Sequence, residues 1–376
     1  MKEPWPDADA VREKFAHARG ELSAALIERD DEVDAVLAAL VANEHVLLVG
    51  PPGCGKSLLL DAVLSWTGGS KFSVLLTKFT TPEEVLGPVS LAGLKADTYR
   101  RVTAGRLPEA DFAFVDECFK ASSAILNCLL KILNERVFDP GDGVARPVPL
   151  KLCVGASNEW PSPDTGKELS ALLDRFLVRK AVAPIRSQAG RQRLLWTRDH
   201  VLRLTTTVTP SEVELARRVA QGLPWSAEAK EAVEAVIREL AREGVIPGDR
   251  RQFKTVGVVQ AFAFLNGADE VRPEHLEVAQ HCLWDDPQEQ PQTAARVIAR
   301  VANPVGMRVT QLLLEVEQVL AGADVRNLPD AAKAAAKLAE IDRQLAGLRG
   351  NGRVEKARTY LKDQLKRLKL ASIEAV

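Results

Sequence analysis

The chain has 376 residues, 46% hydrophobic and 27% charged, with a formal net charge of −1. That length provides for two or three domains, and that apolar share builds a sizeable core, which excludes a disordered chain. A charge near zero with 5% aromatics gives no general reason to expect nucleic-acid binding, and five dispersed cysteines (Cys54, Cys118, Cys128, Cys153, Cys282) argue for a reducing compartment and against disulfides or zinc.

In chain order, the opening MKEPWPDADAVREK is charged and lacks the apolar centre of a secretory signal. No run approaches the ~18 apolar residues that span a bilayer, so a cytoplasmic protein with no membrane span is expected. Residues 20–42 place Leu22, Leu26, Val33, Val36, Leu37 and Leu40 at helical spacing, with a break between two helices expected in the acidic stretch 28–34. HVLLVG (45–50) is a short apolar run ending in glycine, which reads as a buried parallel strand, and SLLLDAVLSW (57–66) reads as a helix. FSVLLTKF (72–79), DFAFVDE (111–117), LKLCVGAS (150–157) and FLVRKAVA (176–183) are further strands, with a helix over 122–136. Strands alternating with helices predict an α/β fold with a parallel sheet.

After Pro184 the pattern turns helical. Ser211 and Ser226 are expected N-caps, and Gly244 an expected helix stop. The polar, proline-containing DDPQEQPQ (285–292) reads as a linker. Beyond it, Leu338, Ile341, Leu345 and Leu348 step by three and four, as do Val354, Ala357, Leu361, Leu365 and Leu368. With GNG (350–352) as a turn, this predicts an antiparallel helical hairpin with 305–322 packed on it as a third helix. Seven basic residues stand against two acidic ones between Arg353 and Leu370, either a solvated face or a docking patch for an acidic partner.

Gly50, Gly55, Lys56 and Ser57 match the pattern G-x-x-x-x-G-K-[ST], placed after a strand and opening a helix. Across Gly50-Pro51-Pro52-Gly53-Cys54-Gly55-Lys56-Ser57-Leu58 the backbone can curl so that its N–H groups face phosphate oxygens, helped by the helix dipole. Lys56 would reach the β- and γ-phosphates of ATP and Ser57 would bind Mg²⁺, with Cys54 a small loop residue. DFAFVDE delivers Asp116 and Glu117 at a strand end, Asp116 to hold Mg²⁺ through its water shell and Glu117 to polarise the attacking water. In VGASNE (154–159), Asn158 either positions that water, reads the γ-phosphate, or is a strand-end turn residue.

The set GPPGCGKS, FAFVDE, GASNE and LLDRF (172–176) resembles the AAA+ ATPases. TKFTTPEEVLGPVSLAGLK (77–95), AILNCLLKILNER, GDRRQFKTVGVVQAFAFLNG and HCLWDD resemble the MoxR family, and within it the regulatory ATPase variant A (RavA) branch. The likeness covers roughly residues 20–290; RavA proteins are longer and carry a small β domain for which this chain has no matching stretch. It implies an AAA+ P-loop parallel-sheet core over 1–184, a helical lid over 185–290 and a C-terminal helical bundle over 291–376. It also implies ATP and Mg²⁺ as cofactors, a homo-oligomeric hexameric ring, chaperone-like remodelling of a protein partner, and a partner bearing a von Willebrand factor A (vWA) domain. Arg175 matches the arginine finger that reaches a neighbour's γ-phosphate, and Arg250 the lid sensor, with Asp249 as N-cap and Arg251 as the alternative ligand. Residues 83–110 resemble the helix-2 insert and 136–151 the hairpin before the first sensor, both facing a central pore unless they are plain surface loops. A non-hydrolysing nucleotide switch would lack Glu117 or Arg175, and a nucleic-acid motor would want a basic, aromatic-bearing channel.

Overall fold

The computed structural model describes residues 7–161, 167–196, 204–323, 327–348 and 352–374. Among the described residues seven strands form in chain order: β1 (Val46–Val49), β2 (Lys71–Leu75), β3 (Phe112–Asp116), β4 (Val137–Phe138), β5 (Arg146–Pro147), β6 (Leu152–Ser157) and β7 (Val178–Ala181). Five of them make one parallel sheet in the order β2-β3-β6-β1-β7. Val49 pairs with Ser157 and Ala181, and Leu75 with Asp116, so the residues that follow β1, β3 and β6 emerge on one edge. Ligands of open parallel sheets bind at that carboxyl edge.

Strand periodicity divides the interior in two. Val46, Leu48, Phe112, Phe114, Leu152 and Val154 enter one core, while Leu47, Val49, Ala113, Val115 and Cys153 enter the other. Successive strand side chains point to opposite faces, so continuous apolar runs such as VLLV serve both. Helices α1 (Ala8–Ala25), α2 (Asp30–Ala42) and α3 (Lys56–Trp66) cover the first face. The break between α1 and α2 falls at residues 26–29, earlier than expected, with Glu28 at φ 54°. Asp30, Asp31 and Glu32 belong to the first turn of α2, where carboxylates meet the positive end of the helix dipole.

The 83–110 stretch holds two short helices, α4 (Pro82–Leu86) and α5 (Leu91–Lys95), and a Val89–Arg101 antiparallel bridge. Strands β4 and β5 form the expected hairpin. The two pack together: Arg101 N donates to Pro140 O (2.9 Å), and a Cβ on Gly141 (φ 113°) would lie 2.2 Å from the Tyr99 ring. Helices α6 (Ser123–Glu135) and α7 (Lys167–Arg175) cover the second face of the sheet.

The helical part comprises α8 (Gln188–Trp196), α9 (Pro210–Gly222), α10 (Ala227–Arg242) and α11 (Asp249–Leu265), then a 3-10 stretch Pro273–His281. Thr209, not Ser211, caps α9: its hydroxyl accepts from Glu212 N while the Glu212 carboxylate takes Thr209 N, and Pro210 fits the first turn. Ser226 caps α10 as expected, and Gly244, at φ 80°, follows its end. The lid packs α9 and α11 on α1 and α2, sharing their core, with Phe15 edge-on to Trp66 (5.2 Å) and Phe264 (5.8 Å).

Helix α12 (Gln290–Ala302) buries Ala294, Val297, Ile298 and Ala302 in that same core. Packing therefore carries the lid through Ala302, past the boundary expected at 290, and the polar 285–292 stretch leads into α12 instead of linking domains. A separate core of Val309, Leu312, Val316, Leu338, Ile341, Leu345 and Leu361 unites α13 (Pro304–Gly322), α14 (Leu328–Gly347) and α15 (Gly352–Glu374). Of the expected turn at 350–352, Gly352 opens α15 and 350–351 lie outside the described residues, as do the Arg353, Lys356 and Lys369 side chains of the basic run. Among the described residues no helix is long and apolar enough to cross a membrane.

Candidate active site

Gly50 follows β1 and lies so close to the residue after β7 that a Cβ would sit 2.1 Å from Val182 O, an approach that only glycine makes without a backbone shift. Gly53 (φ 79°) and Gly55 (φ 84°) take left-handed conformations, which bring the chain round so that α3 begins at Lys56. Lys56 is 7% exposed. Its ammonium donates to Gly50 O, Pro51 O (3.1 Å) and Asn158 Oδ1 (3.0 Å), which uses all three of its N–H groups. Any anion entering the loop would take over one of those bonds.

Asp116 ends β3, and Glu117 follows at φ 51°, a left-handed conformation that costs a non-glycine residue about 1–3 kcal/mol. Such strain persists where the surroundings hold it, and three groups do so here. Glu117 N donates to Asp116 Oδ1 (2.9 Å), Asn158 Nδ2 donates to Glu117 Oε1, and Lys120 Nζ lies 3.2 Å from Oε2. Asn158 thus bridges Lys56 and Glu117 through the two ends of its amide.

Pro52, Gly53, Gly55, Lys56, Ser57, Leu58, Asp116, Glu117 and Asn158 line one cavity of about 390 Å³. Backbone N–H groups, a lysine and a helix N-terminus suit a phosphate chain. The Ser57 hydroxyl and Asp116 carboxylate are hard oxygen donors of the kind that bind Mg²⁺. Among the described residues no three His, Cys, Asp or Glu cluster as a metal site, but Mg²⁺ carried with phosphates needs only one or two protein oxygens. Pro51 is exposed beside the cavity, and buried Cys54 has its sulfur 3.9 Å from Lys56 Nζ.

The expected arginines lie elsewhere. Among the described residues, neither Arg175 nor Arg250 lines the cavity. Arg175 ends α7, with Nη1 3.2 Å from its neighbour Asp174. The N-cap of α11 is Gly248, in extended conformation, so Asp249 is already the first helical residue. Arg250 is exposed and donates to Asn134 Oδ1, while Arg251 is buried against Asp174, Leu177 O and Cys282 O. A one-residue step turns a helix by about 100°, which separates two adjacent arginines into one facing out and one facing in.

Arg29 escapes the sequence pattern altogether. From the α1–α2 break its buried guanidinium donates to Glu28 O (2.7 Å), Cys54 O (2.8 Å) and Ala183 O (2.8 Å), bracing the phosphate loop from behind. Lys120 was legible only as a charge three residues after Glu117.

A family model for the MoxR domain of MoxR–vWA–β-propeller ternary systems matches residues 13–213, and a model for the AAA lid domain matches 230–297. The chain belongs to the MoxR family of AAA+ ATPases. An uncharacterized protein of Methanocaldococcus jannaschii is 35% identical over 343 residues, 90% of this chain and 88% of that protein. Protein MoxR of Methylorubrum extorquens is 27% identical over 256 residues, 66% of this chain and 72% of that protein. The crystal structure of a candidate ATPase from Cytophaga hutchinsonii superposes with a TM-score of 0.63 at 16% identity, over 79% of this chain and 96% of that one, a likeness of fold. Membership in the MoxR family brings nucleotide binding with it, on an α/β core with a helical lid.

Proposed function

We propose that the protein is a Mg²⁺-dependent ATPase that works as a homo-oligomeric ring, hexameric by family resemblance, to remodel a protein partner. The observation that carries this reading is the convergence of Lys56, Glu117 and Asn158 on one cavity, with Asn158 hydrogen-bonded to both of the others. In it Gly50–Leu58 cradle the phosphates, Ser57 and Asp116 hold Mg²⁺, Glu117 activates water, and Asn158 aligns Glu117 with the γ-phosphate. Arg175, away from its own cavity, serves as the finger for a neighbour's nucleotide. Arg250, exposed and also outside the cavity lining, serves as the lid sensor, offered across a subunit boundary. The vWA partner follows from the matched domain's description, and the paired insert and hairpin are the surfaces offered to a pore. Placement beside the RavA branch rests on the sequence phrases alone. Five free cysteines, four of them buried, suit a cytoplasmic setting.

Glu117→Gln tests the chemistry. The side chain keeps its shape, and the Lys120 contact it weakens is half exposed on the lysine side, so stability should change by less than about 1 kcal/mol. Loss of the base should slow turnover at least about a hundredfold, with ATP still bound. Turnover within a few-fold of wild type would remove Glu117 from the mechanism.

A further inference from the structure

Two buried arginines join the end of α7 to the Cys282–Asp285 segment of the lid. Arg179 and Arg251 are 2% and 4% exposed, and both bridge the same two backbone segments. Arg179 donates to Leu173 O (3.0 Å) and Phe176 O (3.0 Å) on one side and to Trp284 O (2.8 Å) on the other, its guanidinium 5.3 Å from the centre of the Trp284 ring. Arg251 donates to Leu177 O (3.1 Å) and Asp174 Oδ1 (3.1 Å) on one side and to Cys282 O (3.0 Å) on the other. Its Nε lies 3.1 Å from Asp285 Oδ1, an ion-pair contact out of line for a hydrogen bond. Asp174 is shared: Oδ1 takes Arg251 and Oδ2 takes Arg175.

A joint that only needed to hold could be apolar, since two like charges side by side in a core are costly to desolvate. Burial, with the nearby Arg251 charge second, pushes Arg179 down to about 9, still cationic at neutral pH. Guanidiniums differ from apolar packing in fixing direction, because their planar forks accept partners only at set angles. Here those directions are spent on the carbonyls at the end of the finger helix and on the carboxylate that touches the finger.

We propose that Arg251 and Asp174 are positioning residues for Arg175, transmitting the place of the lid to the finger presented to the neighbouring subunit. This rests on the reading of Arg175 as a finger acting in trans. A shift of the Cys282–Asp285 segment would reach Arg175 through two bonds, Arg251–Asp174 and Asp174–Arg175.

Mixed oligomers test it. A Lys56→Ala subunit has a disabled phosphate loop and an intact finger; an Arg175→Ala subunit has the reverse. Neither should turn over ATP alone, and mixing should restore sites. Arg251→Ala and Asp174→Asn should behave as Arg175→Ala does: ATP affinity within roughly twofold of wild type, kcat lower by about 10- to 100-fold, and recovery on mixing with Lys56→Ala but not with Arg175→Ala. Asp174 is 48% exposed at its side chain, so the asparagine is hydrated and Asp174→Asn keeps the test available should loss of the buried Arg251 unfold the chain. Recovery with Arg175→Ala and not with Lys56→Ala would assign both residues to their own nucleotide site and overturn the proposal. No recovery between Lys56→Ala and Arg175→Ala would overturn the finger reading, and this proposal with it.

Discussion

Replacing Arg29 by methionine keeps an unbranched stem and removes the guanidinium that braces the phosphate loop. Three carbonyls then lose their donor: Glu28 O, Cys54 O and Ala183 O. The bond to Cys54 O is buried, so that oxygen meets no water and its loss costs about 1–3 kcal/mol; the other two are partly open to hydration and cost less. Part of this is offset because a charge no longer has to be kept out of water. The net loss is about 2–4 kcal/mol, which at about 2.1 cal/mol/K per residue over a core and lid of this size is a fall in melting temperature of about 3–6 °C. ATP affinity should fall as well, because the loop must be ordered at binding when Arg29 no longer orders it beforehand. A tenth of the loop population in the competent shape weakens binding about tenfold. Scanning calorimetry without nucleotide and titration with a fluorescent ATP analogue measure the two quantities separately. A lower melting temperature with unchanged ATP affinity would show that Arg29 braces the fold and not the loop. No change in either would refute the reasoning from the hydrogen bonds.

His45 should make the protein acid-sensitive. Its ring is fully used, Nδ1 accepting from Cys153 N (3.0 Å) and Nε2 donating to Leu133 O (3.1 Å), and burial holds its pKa well below 6.5. The unfolded chain takes up a proton there below about pH 6.5 that the folded chain refuses, so stability falls with falling pH, by about 1.4 kcal/mol per unit for this one group. Denaturant melts from about pH 7.5 to 5.5 should show the loss, and His45→Gln should have a flatter profile; an equal slope would exonerate His45. The packing of α12 predicts two different truncations. A chain ending at Asn303 should keep the melting temperature of its lid, whereas one ending at Pro287 strips Val297 and Ile298 (0% and 1% exposed) from the core and should lose about 3–6 kcal/mol, read by calorimetry. Equal melting temperatures would place α12 outside the lid.

What could be read in the chain alone was local. The loop from Gly50 to Ser57 announces itself because left-handed turns and a backbone pressed against its neighbour leave glycine little competition, and because an apolar run before it and a helical period after it set the context. Asp116, Glu117 and Asn158 were legible for the same reason: each follows an apolar strand, and parallel register brings strand ends together. The capping residue of α9 was missed by two positions because Thr209 and Ser211 are chemically equivalent, and the distinction lay in Pro210 and Glu212.

What only the tertiary structure decided depends on pairs far apart in the chain. Arg29 meets Ala183 across 154 positions, and Arg251 meets Asp174 across 77. A charged residue in sequence carries no mark of the carbonyl it will find, since burial of a guanidinium is favourable only once the fold has gathered enough acceptors around it. The same holds for the lid. Periodicity tells that α9, α11 and α12 each have an apolar stripe, and α1 and α2 as well. It does not tell which stripe meets which, because apolar contact is non-directional and many pairings bury similar area. Close packing of particular shapes, such as Phe15 edge-on to Trp66 and Phe264, belongs to the pairing that sets the lid on α1 and α2.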